Sequence, residues 1–373
     1  MFNTFRSQLN NVSIFNRGLS KSQLFKSVFL FPIEYNFLKQ KVNFPIAINF
    51  LSTFRCNLNC KICHFQNIVN KGNYRELGVA QLENFFKKIA FYQPLLTVEG
   101  GEPFTRKDIL DIIGVIKSLK LSCIVYSNAV LWDEQTINKL IKLNIEYIVS
   151  SVHGPEDVHD SITGVRGSFK ATFRNLEQYC RGKNKNSRVF LNLPVTKLNL
   201  SFLEGIVEKA KDIGVDAVKL QHLGFMTKLE VAKHSRICNF YGRGQELKSI
   251  NNFVLEDMNK YVPSIQEIKG LINMVQKKHT KFVCFQPYLS SRQIEWWYSE
   301  GGSKYRGGCL FVWRSTFIKP NGDVIPCQYY PEFLLGNILE SDFGEIWQSE
   351  KYKKLRKALR NNILSGCIRC CRV

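Results

Sequence analysis

From about residue 45 onward, short apolar runs alternate with longer segments whose apolar positions recur every three or four residues. The short runs predict strands at Ile46–Ser52, Leu95–Val98, Ser122–Tyr126, Tyr147–Val152, Val189–Val195 and Ala217–Leu220. The periodic segments predict helices at Val79–Ala90, Ile109–Leu119, Glu134–Leu143, Phe169–Tyr179 and Leu203–Ile213. Apolar strands separated by amphipathic helices mark an α/β chain with a parallel sheet and helical crossovers. Six strands in about 180 residues fall short of the roughly 250 of a closed eight-unit barrel. Spacing alone leaves an open barrel and a doubly wound sheet as alternatives.

The flanks read differently, and four parts follow: 1–44, 45–235, 236–308 and 309–373. The first is a basic N-terminal extension, with Arg6, Arg17, Lys21, Lys26, Lys39 and Lys41 against the single acid Glu34. Leu24, Phe25, Val28, Phe29 and Phe31 fit an apolar helical stripe. Such a stripe packs on the protein's own barrel or lies on an anionic membrane surface. The bridging region 236–308 is less regular, with a helix at Gln266–Lys278 and Trp296-Trp297-Tyr298 before the glycine-rich Gly301–Gly308. Those aromatics suit a core or a pocket wall. The last part shows a hairpin signal at Pro320-Asn321-Gly322-Asp323 and a Lys-rich helix around Tyr352–Arg360.

The composition, 45% apolar and 22% charged, excludes fibrous and wholly disordered classes. The longest apolar run, Val28–Leu38, is broken by Pro32 and Glu34, short of the roughly 20 residues of a membrane span. No secretory signal is visible, so a reducing cytoplasmic setting is expected, with peripheral membrane contact through the extension. The net charge of +21 points to anionic company: nucleic acid, anionic lipid, or an acidic or phosphorylated substrate. The charge is dispersed, as in the Lys- and Asn-rich chains of AT-rich genomes, and no RNA-binding module is recognisable.

Twelve cysteines are many for such a setting, where thiols are metal-binding, catalytic or buried. Cys56, Cys60 and Cys63 form C-x3-C-x2-C in the loop after the first strand. Three soft thiolates in one loop suit iron–sulfur ligation. A structural zinc takes four ligands, and His64 adjoins Cys63 too closely to be an easy fourth. Three ligands on a [4Fe–4S] cube leave one iron open.

The second strand ends in Gly100-Gly101-Glu102-Pro103. This pairing resembles the radical S-adenosylmethionine (SAM) superfamily over residues 45–225. The resemblance implies a partial (β/α)6 TIM-like barrel with its site at the C-terminal strand ends. It implies a [4Fe–4S] cluster on Cys56, Cys60 and Cys63 whose open iron chelates SAM. A reducing partner such as flavodoxin or ferredoxin would feed it, yielding a 5′-deoxyadenosyl radical that abstracts hydrogen from a substrate carbon. Gly100 and Gly101 would let backbone approach the methionine part of SAM. Glu102 would accept from its amino group or hold the turn. Ile62 stands where relatives place an aromatic residue beside the adenine. Ser127-Asn128 stands where relatives read T-N-G. Ser151-Val152-His153-Gly154 resembles S-x-D-G with His153 for Asp, and Ser151 would contact the SAM carboxylate. His159-Asp160 follows as in relatives, but Thr163 stands where many carry Arg, and Arg166 is the substitute. His222 would face the substrate pocket or serve as a structural histidine.

The tail, Cys309-x17-Cys327 followed by Cys367-x2-Cys370-Cys371, resembles the SPASM extension and more closely its truncated twitch form. That resemblance implies a small cysteine-rich domain holding one auxiliary [4Fe–4S] cluster on Cys309, Cys327, Cys367 and Cys370. Cys371 is the alternative to Cys370, and zinc the alternative to iron–sulfur. Cys123, Cys180, Cys238 and Cys284 remain as core or pocket thiols.

An auxiliary cluster can accept an electron from a substrate radical, which makes the expected reaction an oxidation. The expected substrate is a small, sugar-derived or lipid-type molecule, anionic or lipid-linked. The alternatives are a peptide maturase, an RNA-modifying enzyme and a non-catalytic iron–sulfur protein. The extension is short for the leader-binding domain of peptide maturases, and a pure electron carrier needs no GGEP element.

Overall fold

The computed structural model describes Tyr35 and residues 42–232, 251, 253–255, 257–299, 308–360 and 363–370. The six expected strands form: β1 (Ala47–Thr53), β2 (Leu95–Gly100), β3 (Cys123–Tyr126), β4 (Tyr147–Ser151), β5 (Arg188–Val195) and β6 (Ala217–His222). They pair in parallel and in chain order. Between them run α1 (Val79–Ala90), α2 (Ile109–Ser118), α3 (Glu134–Leu143), α4 (Glu156–Thr163), α5 (Ser168–Gly182) and α6 (Leu203–Asp212). The short polar α4 is not among the expected helices; it carries too few apolar positions to show a period.

Alternation along each strand separates two environments. One face of the strands, with Ile48, Leu96, Val125, Ile148, Leu191 and Val218, joins the helices in the main core. Helix residues Phe86, Ile112, Leu140, Leu176 and Val207 meet them there. Ile148 is fully buried, and truncating such a residue to Ala costs about 2–5 kcal/mol. The other face turns inward and is far more polar, with Asn49, Thr97, Glu99, Asn192 and Lys219 among residues lining a central cavity.

The sheet exceeds the six expected strands and crosses the boundaries drawn at 236 and 309. After α7 (Ile265–Lys278), β7 (Val283–Gln286) pairs in parallel with β6. α8 (Ser291–Tyr298) follows. β8 (Ser315–Ile318) pairs in parallel with β1 on the opposite edge. The β8–β9 hairpin turns at Gly322, whose φ of 90° suits glycine, and β9 (Asp323–Ile325) pairs with β10 (Gly336–Asn337). β7 and β8 are no shorter than β3, but they lie outside the regular strand–helix alternation that marks β3.

α9 (Glu350–Leu359) closes the tail. The described end of the extension bonds to the residues on either side of it: the Tyr35 hydroxyl donates to the Arg360 carbonyl at 2.9 Å, and Trp347 Nε1 donates to the Asn43 carbonyl at 2.6 Å. The stripe from Leu24 to Phe31 lies outside the described residues. No helix among the described residues is long and apolar enough to cross a membrane.

Candidate functional site

The cysteine loop leaves β1 at Thr53 and is held from three sides. On the first, Gly101 N donates to the Thr53 carbonyl and Glu102 N to the Arg55 carbonyl, both at 2.8 Å. A Cβ on Gly100 would lie 2.4 Å from the Thr53 carbonyl oxygen, and one on Gly101 2.2 Å from that of Arg55. These glycines therefore let the end of β2 press against the root of the cysteine loop. This packing role stands beside the approach to SAM that the resemblance implies for them.

On the second side, Asn59 N donates to the Thr163 carbonyl at 2.8 Å and Lys61 N to the Ile162 carbonyl at 2.9 Å. The unforeseen α4 is thus the shelf for the loop. On the third, Asn128 Nδ2 donates to Asn57 Oδ1 at 2.8 Å. Asn70 closes the loop's base, donating to the Cys56 carbonyl and accepting from Cys56 N, each at 2.9 Å.

All three thiols line the cavity. Burial pushes the Cys56 thiol up to about 11 and raises Cys60 and Cys63 as well. Cys60 is raised further by its two neighbours, Cys63 and Cys56. Three half-buried, mutually repelling soft donors fit a cationic iron–sulfur centre, which would offset that repulsion. Among the described residues no group of three or more His, Cys, Asp and Glu is arranged to hold one metal ion.

Glu102 is 1% exposed. Its Oε1 accepts from Ser127 Oγ at 2.8 Å and Phe104 N at 3.1 Å, and its Oε2 accepts from Asn128 N at 2.7 Å. Burial pushes its carboxyl up to about 7 against the pull of these bonds. It holds the turn that joins the ends of β2 and β3. Ser127 Oγ also accepts from Ala129 N at 2.9 Å. Ile62, Ser127, Asn128 and Ser151 all line the cavity.

Arg166 does not. It is exposed and absent from the cavity wall, which corrects the contact expected for it. Asp160 explains why: its carboxylate accepts from Gly167 N and from Ser168 Oγ and Phe169 N at 2.9 Å. That cap, with left-handed Gly164 and Gly167, turns the chain into α5 before Arg166 can face inward.

His153 does line the cavity. Burial lowers it to about 3 and its neighbour His159 to about 4, so both are neutral near pH 7. His153 therefore supplies no charge where relatives carry Asp. The opposite wall is built by Asn192 on β5, Lys219, Gln221 and His222 on β6, and Gln286 on β7. Of these, the sequence pattern marks only His222. Asn192, Lys219 and Gln221 sit at alternate strand positions, and that alternation is the signal that could have found them. The cavity is about 640 Å³.

The second cysteine set forms behind this wall. Cys309 N donates to the Leu359 carbonyl at 2.8 Å, and Cys370 N to the Cys367 carbonyl at 3.1 Å. Cys367 is raised by burial and by nearby Cys327 and Cys309. Its Sγ contacts the Tyr330 hydroxyl at 3.7 Å. Four soft donors in one buried region fit an iron–sulfur cluster as the first three do. Cys371 and Cys238 lie outside the described residues. Cys123 is wholly buried on β3, and Cys284 on β7 is raised by burial.

The radical SAM superfamily model matches residues 50–210, and the model for the SPASM iron–sulfur cluster-binding domain matches residues 309–371. The chain belongs to the radical SAM superfamily and carries a SPASM domain. An AdoMet-dependent heme synthase of Methanosarcina barkeri is 27% identical over 325 residues, spanning 84% of this chain and 85% of that protein. The subtilosin biosynthesis protein AlbA of Bacillus subtilis is 24% identical, spanning 87% of this chain and 64% of AlbA. Among solved structures, Streptococcus suis SuiB bound to S-adenosylmethionine superposes with a TM-score of 0.61 at 16% identity, spanning 84% of this chain and 68% of SuiB. That likeness shows the fold.

As a radical SAM enzyme the protein uses SAM and a [4Fe–4S] cluster, and the SPASM domain brings auxiliary iron–sulfur binding. Bound together, SAM and the reduced cluster supply hydrogen-atom abstraction. The chain contributes rigidity. Its cysteine loop is fixed from three sides by backbone and side-chain amide hydrogen bonds, and Asn70 closes its base. At the ends of β2 and β3, Glu102, Ser127 and Asn128 satisfy one another. The strands below close the lumen with Leu95, Ile124, Tyr147 and Phe190.

Proposed function

We propose that this enzyme is a radical SAM oxidoreductase that oxidises a carbon centre of an anionic small molecule. Cys56, Cys60 and Cys63 hold the SAM-binding cluster, and Cys309, Cys327, Cys367 and Cys370 hold an auxiliary one. The substrate loses a hydrogen atom to the SAM-derived radical. It then loses one electron to the auxiliary cluster, and a proton or carbon dioxide leaves with it, a two-electron oxidation overall. A flavodoxin or ferredoxin supplies the electron that starts each cycle.

One observation carries this reading: the second cysteine turn backs directly onto the cavity. Gly224 lines the cavity, and a Cβ there would lie 3.3 Å from the carbonyl oxygen of Arg369, which stands between Cys367 and Cys370. The backbone between Cys367 and Cys370 therefore lies in contact range of the cavity wall at Gly224. The +21 charge and the cavity's Lys219 support an anionic substrate. The heme synthases among the relatives make a carboxylate-bearing tetrapyrrole the first candidate. A peptide substrate is the second reading, favoured by AlbA and by the sporulation killing factor maturation protein SkfB among the relatives.

Anaerobic reconstitution tests the cluster assignment. Two [4Fe–4S] clusters give about eight irons per chain, falling to about four in Cys367→Ala/Cys370→Ala with 5′-deoxyadenosine still released under dithionite. About four irons in both proteins would remove the auxiliary cluster and the oxidative reading with it. Mass shifts after incubation with iron coproporphyrin or with candidate peptides would then separate the two substrate classes.

A further inference from the structure

The polar groups lining the cavity differ in how they are satisfied, and outside the β5–β7 wall the buried His153 Nδ1 also has no hydrogen-bond partner among the described residues. On the SAM side, Glu102, Ser127 and Asn128 bond to one another and to backbone. On the β5–β7 side three buried atoms stay without such a bond. His222 Nε2, Asn192 Oδ1 and Gln286 Oε1 are buried atoms with no hydrogen-bond partner among the described residues. All three residues line the cavity. They come from neighbouring strands: Asn192 Nδ2 donates to Gln221 Oε1 at 2.9 Å, and Gln221 is in register with Gln286. Buried polar atoms are almost always paired, so a cluster of unpaired ones on one wall marks where a ligand completes the bonding.

His222 carries the most information. It is 1% exposed, and its Nδ1 lies 2.8 Å from the Tyr298 hydroxyl. Burial keeps that phenol protonated. Among the described residues the hydroxyl bonds to His222 alone, so the phenol hydrogen points to Nδ1. Nδ1 is then the acceptor, and the ring hydrogen sits on Nε2. Burial also lowers His222 to about 4, so the ring is neutral near pH 7. Phe285 and Trp297 flank the ring at 5.6 and 5.9 Å and fix its plane. The result is an oriented neutral N–H donor, unsuited to act as a base.

We propose that the β5–β7 wall is the substrate subsite and that His222, locked by Tyr298 as its Nε2–H tautomer, donates to a carboxylate oxygen of the substrate. Lys219, earlier on β6, supplies the positive charge, and Glu99 across the lumen is an acid that such a carboxylate must avoid. The carboxylate can belong to a tetrapyrrole side chain or to an acidic peptide residue. This inference rests on the anionic-substrate reading above.

The test uses reconstituted holoenzyme. Histidine 15N chemical shifts read the tautomer directly, and Tyr298→Phe identifies the His222 signal. Binding is followed by quenching of tryptophan fluorescence with three probes: iron coproporphyrin III, its tetramethyl ester, and a short Asp/Glu-containing peptide. The expected result is an Nε2–H tautomer and a roughly 10- to 100-fold weaker grip on one carboxylate probe in His222→Phe, the loss of one charge-assisted hydrogen bond. His222→Gln, which keeps an N–H donor, restores most of it. The ester should bind wild type and His222→Phe alike. Which free-acid probe responds identifies the source of the carboxylate. A proton found on Nδ1, or affinities for both carboxylate probes unchanged in His222→Phe, overturns the proposal while the oxidative reading stands. Failure of wild type to bind either carboxylate probe, with both clusters loaded, overturns both the subsite and the anionic substrate. Iron content and thermal melting of each variant guard against misfolding.

Discussion

The Arg369 guanidinium meets both carboxylate oxygens of Glu230, at 3.0 and 2.8 Å, with both side chains almost wholly buried. The same guanidinium donates to the carbonyls of Phe225 and Ser299 and stacks on the Phe225 ring at 4.0 Å. It thereby ties the Cys367–Cys370 turn to the loop that follows β6. Removing one partner strands a buried charge, at a cost of about 3–5 kcal/mol. Glu230→Ala should therefore lower stability by about that amount and release auxiliary iron. The double variant Glu230→Leu/Arg369→Met should recover most of the stability. Denaturation curves and iron counts on reconstituted protein check both.

Gly101 offers a sharper test of how the first cysteine loop is held. Its Cβ position is 2.2 Å from a backbone carbonyl, which no side-chain rotation can relieve. Gly101→Ala should displace the loop, halving the iron content to about four of about eight and abolishing SAM cleavage. The auxiliary cluster should remain, as read by the iron count that survives.

Glu102 titrates in an accessible window. Its folded value, about 7, stands above its ordinary 4.5, so the native state holds a proton that the unfolded chain has released. Stability from this group is fully present below about pH 4.5 and is lost as pH rises through about 7. Each tenfold difference in proton affinity between the two states is worth about 1.4 kcal/mol. Glu102→Gln should flatten that decline. Urea midpoints of the two proteins between pH 4.5 and 8 provide the measurement, and parallel slopes would contradict the assignment.

Asp160 and Arg166 separate structure from chemistry. Asp160→Ala removes the cap of α5 and should cost about 1–2 kcal/mol of stability. Arg166→Ala, at an exposed position off the cavity, should leave SAM binding within about twofold, since surface substitutions of this kind stay within about 0.5 kcal/mol. A large loss of SAM affinity in Arg166→Ala would restore the contact that the structure does not show.

Much of this protein is legible in its sequence because the relevant signals are local. Strand alternation and helical recurrence act over a few residues, and they locate β1–β6 with their crossover helices. The cysteine spacing after β1 and the Gly100-Gly101-Glu102-Pro103 run at the end of β2 are equally local. β7, no shorter than β3, lies outside the regular strand–helix alternation, and the eight-residue α4 carries too few apolar positions to show a period.

By itself, then, the sequence determined a parallel α/β alternation, which family resemblance turns into a barrel, with a three-cysteine loop at its first strand and a second cysteine set near its end. Only the tertiary structure decided which strands flank that barrel, that Gly101 serves the loop's packing, and that Arg166 faces away. It alone brought Asn192, Gln286 and the His222–Tyr298 pair to one wall, and Glu230 to Arg369, 139 positions apart. Local periodicity is set by the geometry of one segment. Pairings across such distances are set by sheet order and by the burial of charge, which no short stretch of chain contains.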